Sequence, residues 1–211
     1  MTDAVTFAAV IVAAGRGTRF GMQKHEVTID GIPLWKRCTD AFLAAGIESI
    51  VVVGDVPGGI AGGERRRDSV ANGIHAVPSA DWVLIHDAAR ALVTPELISD
   101  VMDRVRLGGV QGVVPGVPVT DTVKRIEGTR IVETLDRASL TAVQTPQAFD
   151  RKVLAEAHAA DPALDATDDA ALVECLGSTV VVVPGDPENI KITYPSDLDL
   201  ARRIARERGA S

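Results

Sequence analysis

Apolar residues along the chain fall into short continuous runs separated by segments of helical spacing. Phe7–Val12, Ser49–Val53, Trp82–Ile85, Gly112–Val117 and Thr179–Val183 are rich in Val, Ile, Ala and Leu, the pattern of strands buried on both faces of a parallel sheet. Leu34–Ala44, Asp68–Val77, Thr94–Leu107, Arg151–Ala160, Asp168–Leu176 and Asp197–Arg208 repeat their apolar residues at helical spacing. Thr94-Pro95-Glu96 supplies an N-cap and a proline at the first helical position, and Gly108-Gly109 ends that helix. Strand and helix alternating in this way predict an α/β fold with a doubly wound, mostly parallel sheet. In such sheets ligands gather at the carboxyl ends of the strands.

The rhythm breaks once. Thr120–Ile126 and Arg130–Leu135 are β-like and flank Glu127-Gly128-Thr129, which predicts a hairpin. It is polar on both faces, carrying Asp121, Lys124, Arg125, Arg130 and Glu133. Such a hairpin cannot bury itself in the core, so residues 120–137 are expected to form a projecting β-arm on a single domain spanning residues 1–211.

Composition narrows the function. The 211 residues carry a net charge of -7, against the basic patches that nucleic-acid binding uses. No apolar stretch approaches the roughly 20 residues of a membrane span. The first apolar run, Phe7 to Ala14, follows Asp3 and no basic residue, so it fits a buried strand better than a targeting segment. Cys38 and Cys175 lie far apart, without ligand-like spacing; both are expected to be packed thiols in or near helices, not a disulfide or metal pair.

Candidate chemistry follows the strand ends. After the first strand comes Ala13-Ala14-Gly15-Arg16-Gly17-Thr18-Arg19-Phe20-Gly21, then Lys24. Small residues let the backbone approach a phosphate, and Arg16, Arg19 and Lys24 add charge. No Gly-Lys-Ser/Thr closes a Walker A loop, and Phe20 breaks the dinucleotide fingerprint. A nucleoside triphosphate site therefore fits this turn best. The run Gly62–Val70, with Glu64, Arg65, Arg66 and Arg67, reads on spacing as a solvated charged loop capping a helix, though Gly63, Glu64 and Ser69 could also bond a base edge. Asp87, in His86-Asp87-Ala88-Ala89-Arg90, sits where a carboxylate can hold Mg²⁺ or orient substrate; a structural Asp–Arg turn pair explains it equally well. His86 reads as a packed histidine. Alternation places Asn189, Lys191 and Thr193 on one face of a further strand, with Lys191 either exposed or reaching the crevice. Asp165, Asp168 and Asp169 around Thr167 suit a helix N-terminus.

Taken in order, these pieces resemble the 2-C-methyl-D-erythritol 4-phosphate cytidylyltransferases of the non-mevalonate isoprenoid pathway. The match runs from Ala13–Arg19 through Gly62-Gly63 with Ser69-Val70, His86–Arg90, Asp121-Thr122-Val123-Lys124, Asp136-Arg137, Gln144-Thr145-Pro146-Gln147 and Thr167-Asp168 to Asn189–Thr193. The resemblance implies a Rossmann-like nucleotidyltransferase that joins CTP to a methylerythritol phosphate with Mg²⁺, in the cytoplasm, as a homodimer. It implies that Ala13, Ala14, Gly15 and Gly17 line the nucleotide, that Arg19 and Lys24 grip the triphosphate, and that Gly63, Glu64 and Ser69 read the cytosine and ribose. It also implies that Asp87 lies beside metal and acceptor, and that Arg137 and Lys191 position the acceptor phosphate with Arg90, Thr122, Thr145 and Thr167. The arm would carry Thr122 and Arg137 into the partner's site. The family reads Pro-Lys-Gln where this chain has Gln23-Lys24-His25, with a shortened stretch before it, and Lys24 aligns with the catalytic lysine as the lysine nearest that motif. Ala91 stands where a proline is common. Two rivals remain: a ribitol- or ribulose-phosphate cytidylyltransferase, from which Ala89-Arg90 differs, and a catalytically silent nucleotide-binding protein.

Overall fold

The computed structural model describes residues 5–15, 27–161 and 166–209. Six strands make the central path of one sheet, in the order β11 (Val180–Pro184), β6 (Gly112–Pro118), β10 (Gln147–Asp150), β5 (Trp82–Asp87), β1 (Phe7–Val12) and β4 (Ile50–Val53). The pairs β11–β6, β5–β1 and β1–β4 are parallel, and β10 alone runs antiparallel between β5 and β6. A short β9 (Thr141–Val143) pairs antiparallel with the end of β6.

Alternation along the strands feeds two cores, one on each face. In β1, Ala9 and Ile11 pack with Leu84, Val113 and Ala148 against α1 (Leu34–Ala44), α3 (Pro95–Arg106) and α6 (Pro195–Gly209). Ala8 and Val10 face the other way, with Val83, Ile85, Val114 and Phe149, against α2 (Arg66–Ala76), α4 (Arg151–Ala160) and α5 (Asp169–Cys175). Both faces are covered, which is why β1 reads as an uninterrupted apolar run. The remaining strands lie outside this sheet: β2 (Thr28–Ile29) pairs with β3 (Ile32–Pro33), and β7 (Lys124–Glu127) with β8 (Arg130–Thr134). The β7–β8 hairpin turns through Gly128 at φ 59°, and Ile126 and Ile131 are both well exposed.

Several expectations need correcting. Residues 189–193 form no strand: Asn189 is fully buried while Lys191 is exposed, so the two do not share a face. Long-range bonds, not sheet pairing, hold that segment; the Ile192 N–H donates to Ala89 O (2.8 Å) and the Asn189 amide to Thr145 O (2.9 Å). Helix α2 begins at Arg66, before the expected Asp68, because the Asp68 carboxylate accepts the Arg65 N–H (3.0 Å) from within the first turn. Cys38 is buried against Ala88 O and Arg90 O, and burial pushes its thiol pKa up. Cys175, on the last turn of α5, is exposed instead of packed.

Candidate active site

A cleft of about 310 Å³ opens at the carboxyl ends of β1 and β5, within the size range of small-molecule sites. Its floor is Val12 and Ala13-Ala14-Gly15. The chain leaves β1 in step with its neighbours: the Ala13 N–H donates to Val53 O (2.8 Å) and the Ala88 N–H to Val12 O (3.0 Å). Parallel register sets Val12 beside Asp87.

One wall is the loop before α2. The Gly63 N–H donates to Ser69 Oγ (3.0 Å), and the Ser69 hydroxyl donates to Arg65 O (3.2 Å). Ser69 thus shapes the loop, leaving Gly63 and Glu64 at the cleft. Arg65, Arg66, Leu34, Trp35, Ala88, Ala89 and Lys191 also line the cleft.

Asp87 is the electrostatic centre. Its N–H donates to Thr145 Oγ1 (3.1 Å), its Oδ1 accepts from Arg66 Nε (3.0 Å) and its Oδ2 from Lys191 Nζ (2.6 Å). Burial alone would raise its pKa, but Arg66 and Lys191 override that and hold the carboxyl well below the usual range. Arg66 reaches a second carboxylate, with NH1 2.8 Å from Asp169 Oδ2. Burial opposes the charge on Arg66, and Asp169 and Asp87 together raise its pKa. His86 is fully buried between Thr145 Oγ1 (3.0 Å) and Arg90 O (3.2 Å), its ring tilted on Phe42. Burial lowers its pKa to about 4, so it is neutral near pH 7.

Of the residues singled out in the sequence, Ala13, Ala14, Gly15, Gly63, Glu64, Ser69, Asp87 and Lys191 line this one cleft. Arg19, Lys24 and Gly17 lie outside the described residues, as do Arg16 and Asp165. Thr145 is buried and acts through Asp87 N and His86. The guanidinium of Arg90 donates to Asn189 O (2.7 Å) and Val143 O (3.4 Å), so the turn considered for Asp87 and Arg90 is closed by the backbone, Arg90 N–H to Asp87 O (2.9 Å), and not by a side-chain ion pair. Arg137 bonds Thr120 O and lines a separate groove with Thr141 and Val182. Thr122 is exposed before β7, and Thr167 is exposed just before Asp168, the N-cap of α5.

Arg66 and Trp35 were missed. The Gly62–Val70 run is a solvated loop over residues 62–65 and caps α2 through Asp68 as expected, but its next two arginines are not solvated: Arg66 binds two carboxylates, and Arg67, 6% exposed, donates to His158 O and Asp161 O (both 2.8 Å). The signal that could have found Arg66 was Asp87 itself, since a carboxylate at the end of a buried strand needs a cation.

A family model described as "IspD: 2-C-methyl-D-erythritol 4-phosphate cytidylyltransferase" matches residues 7–207. The chain belongs to this family. Among its relatives is the Nocardia farcinica 2-C-methyl-D-erythritol 4-phosphate cytidylyltransferase, 42% identical over 96% of this chain and 95% of that one. The Rhodococcus jostii protein of the same name is 41% identical over 94% and 95%. The crystal structure of the Thermus thermophilus cytidylyltransferase superposes with a TM-score of 0.82 at 34% identity, covering 96% of this chain and all of that one. As an IspD family member the chain is a nucleotidyltransferase enzyme, and among its described residues no helix is long and apolar enough to cross a membrane.

Proposed function

We propose that this chain transfers CMP from CTP to 2-C-methyl-D-erythritol 4-phosphate, giving 4-diphosphocytidyl-2-C-methyl-D-erythritol and pyrophosphate. The observation that carries the reading is the cleft, in which the small-residue turn Ala13-Ala14-Gly15 faces Asp87 and Lys191 across the ends of β1 and β5, in a chain of this family. The backbone of residues 13–15, with Gly63, Glu64 and the loop that Ser69 shapes, binds the nucleotide. An oxygen of the acceptor phosphate attacks the α-phosphorus in line, its new P–O bond forming as the bond to the β-phosphate bridging oxygen breaks. Both reactants are anionic, so the protein contributes positioning and positive charge. Arg19 and Lys24 act on the triphosphate and Lys191 on the acceptor. The hairpin of residues 120–137 docks on a second subunit, so that Arg137 and Thr122 of the partner subunit complete the acceptor site. Exposed Ile126 and Ile131 on that hairpin support this docking, and Arg90, Thr145 and Thr167 support the acceptor side.

Among the described residues, Asp87 and Glu64 are the carboxylates lining the cleft, and no group of three or more His, Cys, Asp or Glu could hold a metal ion. That sparse donor set fits a Mg²⁺ bound chiefly by phosphate oxygens and water. Asp87 would be its protein ligand, and the ion would offset charge on the triphosphate.

Pyrophosphate release from CTP and Mg²⁺, with methylerythritol 4-phosphate, ribitol 5-phosphate and ribulose 5-phosphate tested in turn, checks the assignment. Turnover with the first alone is expected. Turnover with a pentose or pentitol phosphate instead would move the substrate, and CTP binding without any turnover would end the enzymatic reading.

A further inference from the structure

Asp87 has two cationic partners of unlike character. Lys191 is half exposed, with 47% of its side chain accessible. Arg66 is held from behind: Asp169, with only 1% of its side chain accessible, accepts from Arg66 NH1 (2.8 Å), and its other oxygen lies 3.0 Å from His158 Nε2. Arg67 fastens the same turn of α2 to the end of α4 through His158 O and Asp161 O. A line of contacts therefore runs from the cleft into the second core: Asp87, Arg66, Asp169, His158. Lys191 stands at its open end.

This asymmetry has a consequence for charge. Leaving a buried carboxylate with no cation is costly. If Lys191 were the only side-chain partner of Asp87, a phosphate could recruit it only by leaving Asp87 with no protein cation to fix its orientation. With Arg66 fixed in place, Lys191 can let go while Asp87 stays paired and keeps its orientation beside the acceptor.

Resting on the cytidylyl-transfer reading above, we propose that Arg66 is a positioning residue for the acceptor half of the site, held by Asp169, and that it frees Lys191 to exchange Asp87 for a phosphate. Without it, Asp87 competes with the substrate for Lys191. Arg66 itself lines the cleft, whereas neither Asp169 nor His158 does; both act through Arg66.

The test is a double-mutant cycle on the full chain with Mg²⁺, CTP and methylerythritol 4-phosphate. Arg66→Lys and Asp169→Asn are each made alone and with Asp87→Asn. Each single change should lower kcat/KM for the acceptor by about 10–100-fold, the scale for displacing a supporting group, while KM for CTP moves by less than about threefold. In the Asp87→Asn background the same changes should add less than about a twofold further loss, because the group they position is gone. Circular dichroism and thermal melting accompany each variant; should Asp169→Asn fail to fold, the partly exposed Arg66→Lys carries the cycle. Equal losses in both backgrounds, equal effects on the two substrates, or wild-type kinetics of the single variants would overturn the proposal. A wild-type chain inactive with these substrates would instead sink the functional reading, and this inference with it.

Discussion

A Cβ built on Gly62 would lie 2.5 Å from Ala14 Cβ and 3.2 Å from Ser69 Oγ. Ala14 is on the cleft floor and Ser69 on its wall, so Gly62→Ala tests how closely floor and wall must approach. Ordinary carbon–carbon contact begins near about 3.5 Å, so the two segments must part by about 1 Å. Neither can yield by rotating a long side chain, because the Ala14 contact is a Cβ on a turn pinned by the Ala13–Val53 bond. The displacement falls on the Gly63 N–H, now 3.0 Å from Ser69 Oγ, and on the backbone assigned to the nucleotide. Misplacement of reacting groups by about 1 Å costs on the order of 10²-fold. Gly62 has no positive φ, so strain does not confound the change. The expected result is a fall of about 10²-fold in kcat/KM for CTP, with weakened CTP binding by titration calorimetry carried out well below the melting temperature, which the overpacking lowers. Binding of CTP within about twofold of wild type would show that the wall of residues 62–69 does not contact the nucleotide, and would remove Gly63 and Glu64 from the site.

Other outcomes follow from the same geometry. His86 has a folded pKa of about 4 against an ordinary value near 6.5. The unfolded chain therefore takes up the proton first, and stability should fall by about 3 kcal/mol as pH drops from about 6.5 to 4; urea titrations of wild type and His86→Gln across that window check this, and equal slopes would refute it. Asp87, held below the usual carboxylate range, contributes stability that is present above about pH 4 and lost as pH falls through its folded value. The stability gap between wild type and Asp87→Asn should accordingly narrow below about pH 4, and a gap that widens in acid would contradict the pairing with Arg66 and Lys191. A Cβ on Gly73 would lie 2.2 Å from Val10 Cγ1, so Gly73→Ala should destabilise by about 1–3 kcal/mol despite better helix propensity, read from the urea midpoint. Trp35 lines the cleft, so CTP should change the tryptophan fluorescence of wild type but not of Trp35→Phe; a response retained in that variant would place the nucleotide elsewhere.

What could be read from the sequence divides along a physical line. β1, β5 and β6 are largely buried and β4 and β11 partly so; their runs of Val, Ile, Leu and Ala were enough for the local pattern to show them. β10 went unread because only Ala148 and Phe149 of its four residues are apolar; Gln147, although 1% exposed, is polar because its amide reaches Asp168 (2.9 Å) across the fold. The segment 189–193 alternates like a strand, yet tertiary bonds from Ala89, Thr145 and Arg90 dictate its path. The same holds within the cleft. Small residues after β1 announce close backbone approach on their own, whereas the partnership of Arg66 with Asp87 and Asp169 joins positions 21 and 103 residues apart, beyond the reach of spacing. Assigning the acceptor rested on the ordered set of motifs, because cleft geometry by itself specifies an anionic ligand and no particular sugar.

Turnover of methylerythritol 4-phosphate labelled with ¹⁸O in its phosphate tests the central claim most directly, with the products weighed by mass spectrometry. Attack by an acceptor phosphate oxygen on the α-phosphorus of CTP predicts a diphosphocytidyl methylerythritol that retains every labelled oxygen, and pyrophosphate that carries none. Label in the pyrophosphate, or no cytidylyl product from a chain that folds and binds CTP, would contradict it.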